Sequence, residues 1–274
     1  ALVKTLASTR MFALLIIIKI ISYTIVSVKA QSRIVNGTNA ADGEFPFIAS
    51  LRSPKGRHFC GSSILNEMWI LTAAHCVYGK NASSISVQYG STKISKEGPT
   101  ILNVSRIVVH EGYDPSKSLE NDVALLEMHS ESPIVFNAST QPVKLPEQFY
   151  EAPAGSNATL AGWGLQKSGG SIQEDLQKVE LITFSDEECF NRHNATTVKT
   201  QLCAGVPEGG KGQCNGDSGG PLIVDGKQLG IVSWSRKPCT VPPYPGVLTK
   251  VSHYVDWILE QMSKEELSNE IVYL

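Results

Sequence analysis

From Ile34 to about Lys250 the chain is a succession of short runs rich in β-branched and aromatic residues, each closed by turn formers: FPFIASL, SSILNEMWILTA, SISVQYG, ILNVSRIVVH, DVALLEM, ATLAGWG, QKVELITF, PLIVDGKQLGIVSW and GVLTKV. Runs of this length at this spacing point to an all-β sandwich or barrel and away from alternating βα units. The one convincing long helix is terminal. In SHYVDWILEQM, Tyr254, Trp257, Ile258 and Met262 recur on one face, which suits packing against the body of the protein. With 274 residues and no long polar or repetitive tract, the chain buries a substantial core as one large domain or two small ones. The proline-rich STQPVKLPEQFYEAPAGS near the middle is the expected linker.

The first 33 residues stand apart. Their charged side chains are all basic (Lys4, Arg10, Lys19, Lys29, Arg33), and MFALLIIIKIISYTIVSV is the most apolar stretch of the chain. They read as a targeting segment: a signal peptide over residues 1–30, cleaved after Ala30, with Met11 a candidate start and the residues before it an upstream extension. A retained signal anchor competes, since Met11 to Val28 is long enough to span a bilayer, but Lys19 in its middle argues against that. Without the leader, 19 Lys+Arg face 26 Asp+Glu, a formal −7 that disfavours a nucleic-acid partner.

All six cysteines (Cys60, Cys76, Cys189, Cys203, Cys214, Cys239) follow the leader, and an even count in an exported chain reads as three disulfides. No C-x-x-C pair supports a zinc site. Six N-x-[ST] triplets begin at Asn36, Asn81, Asn103, Asn137, Asn157 and Asn194. One such triplet arises easily by chance; six together lean towards a secreted glycoprotein.

Ser218 lies in Gly216-Asp217-Ser218-Gly219-Gly220, and a serine becomes a nucleophile only with a base and an orienting group. The same residues satisfy G-x-S-x-G, the turn of α/β-hydrolases, whose acid and histidine follow the serine. His253 and Asp256 follow it here, but they fall in the terminal helix of a β-rich chain, so an esterase is the weaker reading. Earlier in the chain, His75 ends the apolar run of LTAAHC and Asp122 opens DVALL, which gives the order His, Asp, Ser. Taken singly, each is as readily a packed polar residue or a turn residue.

Taken together, the motifs RIVNG, CGSSIL, WILTAAHC, NDVALL, AGWG, CNGDSGGPL, GIVSW and PGVLTKVSHYVDWI resemble, in order and separation, the chymotrypsin-like (trypsin-fold) serine proteases from Ile34 to about Met262. The resemblance implies an all-β fold of two six-stranded antiparallel β-barrels, with the active site between them and a C-terminal α-helix. The protease domain is expected over 34–274: the first barrel to about 140, the second over about 147–250 and the helix over about 252–263. It implies the disulfides Cys60–Cys76, Cys189–Cys203 and Cys214–Cys239, and a catalytic triad of His75, Asp122 and Ser218. The backbone N–H groups of Gly216 and Ser218 form the expected oxyanion hole. Ser233 is expected to bond Asp122, and Ser233, Trp234 and Ser235 to pair with an extended substrate.

The resemblance also implies an inactive precursor. QSR, residues 31–33, is the expected propeptide; cleavage after Arg33 by a trypsin-like protease frees the Ile34 amine to pair with Asp217. Gly212 lies at the base of the primary specificity pocket, where trypsin-like enzymes carry an aspartate. With Gly246 on the facing wall, the expectation is a large apolar P1 residue; Gln213 and Ser235 keep elastase-like cleavage after small residues as the alternative. A non-catalytic binding protein on the same scaffold is the rival class, and the intact triad speaks against it. The other expectations are a secreted monomer with protein or peptide substrates, protein protease inhibitors as partners, and neither cofactor nor metal.

Overall fold

The computed structural model describes residues 34–94, 100–117, 119–194 and 196–272. The expected signal peptide, the propeptide and Arg33 lie outside the described residues.

Six strands close the first barrel: β2 (Ile48–Arg52), β3 (His58–Ile64), β4 (Trp69–Thr72), β5 (Ser86–Tyr89), β6 (Thr100–Val109) and β7 (Ala124–Met128). They neighbour one another in the order β2-β3-β4-β7-β6-β5, and β5 pairs back on β2. β2, β4 and β7 are buried along their whole length, which is why they are mainly apolar without a period-two alternation, Ser50, Arg52, Thr72 and Glu127 being buried with them. Leu51, Ile64, Ile70, Leu71, Leu125 and Leu126 fill the interior.

The second barrel is β8 (Asn157–Gly162), β9 (Gln177–Thr183), β10 (Gln201–Gly205), β11 (Pro221–Val224), β12 (Lys227–Trp234) and β13 (Gly246–Lys250). Its ring runs β9-β10-β13-β12-β11-β8 and closes through β8–β9, while the two-residue β1 (Thr38–Asn39) pairs with β9 from outside. In β9 the pattern has period two: Val179 and Leu181 point inward, Lys178 and Glu180 away. Ile34 joins Leu160, Leu181, Leu222 and Leu248 in this core.

Three α-helices accompany the strands among the described residues. The terminal helix α3, Val255–Val272, starts three residues after the expected position and continues beyond 263; Tyr254, Val255 and Ile258 bury against the first barrel. The other two are too short to show a helical period in sequence. Helix α1, Ala74–Val77, is a single turn that carries His75. Helix α2, Asp186–Arg192, is capped by the Ser185 hydroxyl, which accepts the Glu188 N–H, and has three acidic residues in its first turn to suit the helix dipole.

The barrels meet through buried polar contacts. The Gly61 N–H of β3 donates to the Ser218 carbonyl at 2.8 Å, and the Ser63 hydroxyl donates to Gln228 Oε1 of β12 at 2.6 Å.

Candidate active site

His75 and Asp122 both come from the first barrel, on the turn after β4 and just before β7. The Asp122 carboxylate is fully buried and takes three hydrogen bonds: from the His75 backbone N–H at Oδ1 (2.8 Å), from His75 Nδ1 at Oδ2 (2.7 Å), and from the Ser233 hydroxyl at Oδ2 (2.5 Å). Thr249 Oγ1 donates to the Asp122 carbonyl at 2.8 Å, so the second barrel grips this residue twice. A carboxylate only accepts, so His75 Nδ1 carries the proton and Nε2 is left as the basic nitrogen. The His75 side chain is 25% exposed, on the open side of the pair.

Ser218 sits on the turn between the Cys214 loop and β11. At the next residue a Cβ would lie 2.3 Å from Thr72 Oγ1 and 2.5 Å from the Gly61 carbonyl oxygen, and φ is +78°, so only glycine fits at 219. That close approach brings Ser218 against the β4–α1 junction that bears His75. The contact of His75 Nε2 is with the Cys76 sulfur at 3.7 Å, and no hydrogen bond joins it to the Ser218 hydroxyl among the described residues. Such bonds tighten when substrate is bound. The N–H groups of Gly216 and Ser218 donate to no protein acceptor among the described residues, which leaves both free for a developing oxyanion.

The cysteines pair as Cys60–Cys76, Cys189–Cys203 and Cys214–Cys239. The first ties α1 to β3 and the last ties the Ser218 loop to the segment after Trp234. Cys60, His75 and Cys76 cluster as metal-binding residue types do, but both sulfurs are in the disulfide, leaving no thiolate for an ion.

Asp217 points away from His75. It is fully buried, and its oxygens accept the Gly164 N–H at 2.8 Å and the Cys214 N–H at 2.9 Å. Burial pushes its carboxyl up to about 7; the two N–H donors and the Lys237 charge oppose this without cancelling it. Ile34 is also fully buried, and its neighbour Val35 bridges to Gly212.

Two further groups bear on the site, and the first escapes a motif reading. His58 Nε2 meets the Gly216 carbonyl at 2.9 Å and Nδ1 meets the Ser50 hydroxyl at 2.8 Å. A carbonyl only accepts, so Nε2 carries the proton and Nδ1 accepts from Ser50; the imidazole thus holds the peptide of the oxyanion loop from behind. Burial pushes His58 down to about 4. The signal available was its place two residues before Cys60, beside CGSSIL. The other group is Gln213, buried in the pocket wall with its amide bonded to the Trp234 carbonyl at 2.8 Å. Ser235 and Gly246 line the same small pocket, and the Trp234 ring stacks edge-on against His193 beside it. All six N-x-[ST] asparagines are exposed.

Residues 34–258 match the family model described as Trypsin. The chain is 42% identical to Trypsin-1 of Astacus astacus over 238 residues, covering 82% of this chain and 98% of that protein. It is 40% identical to Trypsin Blo t 3 of Blomia tropicalis over 234 residues, covering 84% of this chain and 86% of that one.

Proposed function

The chain belongs to the trypsin family of serine endopeptidases, and on that premise we propose that it hydrolyses peptide bonds through an acyl-enzyme on Ser218, is made as an inactive precursor opened after Arg33, and acts outside the cell. The observation that carries the reading is the buried Asp122 carboxylate holding both His75 and Ser233. It fixes the His75 tautomer and stabilises the cation formed when Nε2 takes the Ser218 proton. As that proton leaves, Ser218 Oγ bonds to the substrate carbonyl carbon and the oxygen gains charge between the Gly216 and Ser218 N–H groups. Each donor contributes about 2.7–4 kcal/mol to such a step. Collapse of the intermediate passes the proton to the leaving amine. Water then attacks the ester with His75 again as base.

Activation follows from Asp217. A buried carboxylate whose desolvation two N–H donors and the Lys237 charge do not cancel is costly as an anion, and the α-ammonium of a freed Ile34 would supply the missing charge. Support for secretion comes from the three disulfides and from the exposure of every N-x-[ST] asparagine. Gly212 at the pocket base carries no charge to meet Lys or Arg, which favours an apolar P1 residue.

Treating the precursor with immobilised trypsin and sequencing the new terminus tests the activation step. Peptidase activity is expected to rise with the Ile34 terminus and to stay absent in Arg33→Gln. Full activity in that variant without a new terminus would overturn it.

A further inference from the structure

Gln213 spans the specificity pocket. Its residue is 4% exposed, and its Nε2 donates to the Trp234 carbonyl at 2.8 Å and the Val247 carbonyl at 3.4 Å. A Cβ placed on Gly246 would lie 2.6 Å from Gln213 Oε1 and 2.7 Å from its Cδ, so the amide rests flat on the facing wall. The room that a glycine at 246 leaves in the sequence is therefore room that Gln213 already fills. Between Gln213, Ser235, Thr240 and Tyr244 lies a cavity of ≈ 10 Å³, about the space of one water.

From this we infer that Gln213 is the residue that sets substrate class: it closes the floor of the pocket, and the enzyme cleaves after small uncharged residues, alanine, valine, serine or threonine. The inference rests on the reading of the chain as a serine endopeptidase. A P1 phenylalanine enters only if Gln213 leaves, which breaks its amide bonds to the Trp234 and Val247 carbonyls and gives the amide no equivalent partners. The barrier is thus polar as well as steric. A cationic P1 residue fares no better: Gly212 offers no carboxylate, and Lys211 borders the same space. The large apolar P1 suggested by Gly212 and Gly246 alone gives way to the small-P1 alternative because the Gln213 side chain occupies the space that Gly246 leaves.

The test uses the full-length protein, activated on immobilised trypsin that is then removed. A fluorophosphonate probe first reports whether Ser218 is a reactive nucleophile, whatever the pocket accepts. kcat/KM is then measured on peptides identical except for P1 Ala, Val, Phe or Arg. Ala and Val are expected to exceed Phe by about tenfold or more, the scale on which a hydrophobic pocket discriminates a poorly fitting side chain. In Gln213→Ser the Phe/Ala ratio is expected to rise by a similar factor. Wild-type preference for Phe or Arg, or a probe-labelled enzyme that cleaves neither Ala nor Val peptides, would overturn the inference and leave the endopeptidase reading standing. Absence of labelling would remove that reading itself and the inference with it.

Discussion

The Ser233 hydroxyl donates to the same oxygen of Asp122 that receives the His75 ring proton, at 2.5 Å against 2.7 Å. One carboxylate oxygen thus links a strand end of the second barrel to the base carried by the first, and the imidazole is aimed through a contact that crosses between barrels.

Removing that hydroxyl is expected to act on turnover. In Ser233→Ala, kcat should fall by about threefold to tenfold, the worth of one hydrogen bond, with KM nearly unchanged; Ser233→Thr, which keeps the donor, should recover part of the loss. A purely structural role would lower Tm and leave kcat per folded molecule intact.

His58 makes the activated protein acid-sensitive. Its folded value is about 4 against 6.5 in the unfolded chain, so between these values the unfolded chain binds the extra proton and stability falls as pH drops. The full effect approaches about 3 kcal/mol. Calorimetry from pH 7 to 4 on the inactive Ser218→Ala background should show this loss, and His58→Gln, which can still donate to the Gly216 carbonyl, should flatten it.

Asp217 pushes the precursor the other way. With a folded value of about 7 against 3.8 unfolded, it is the unfolded chain that releases the proton first, so this group lowers precursor stability as pH rises from about 4 to 7. If the ammonium of a freed Ile34 meets the carboxylate, as proposed, the penalty goes. Activated protein should melt above the precursor at pH 8, by a margin that shrinks towards pH 4. A margin independent of pH would mean that Asp217 does not receive the new terminus.

Lys250 is a test of the scaffold. Its side chain is 5% exposed and joins Glu151 on the inter-barrel segment to Asp186 at the start of α2, each at 2.9 Å. Lys250→Met should leave two carboxylates facing one another without their cation. Both are half-exposed and can regain water, so the loss is expected at about 1–3 kcal/mol, below that of a fully buried pair. Denaturant unfolding reads it directly.

Much of this was legible in sequence, for physical reasons that differ by residue. β4 and β7 show as apolar runs because both faces are covered; His75 and Ser218 stand out because each lies in a motif with the cysteine or glycines that place it, and Asp122 because it opens the apolar run of β7. The pairings β10–β13 and β8–β11 that complete the second ring do not show, since they join strands far apart in the chain. Nor does His58 declare itself, and Gln213 shows as a pocket residue but not where its amide lies. Their parts depend on where a side chain turns: His58 reaches a carbonyl 158 residues away, and Gln213 lies across a pocket that composition alone makes look open.

The central claim is that Ser218, served by His75 and Asp122, is the nucleophile of an endopeptidase. Its most direct test is kcat/KM for a P1 Ala peptide, comparing activated wild-type protein with Ser218→Ala carrying the same Ile34 terminus. The account predicts a loss of about 10,000-fold or more in the variant; equal rates in the two proteins would contradict it.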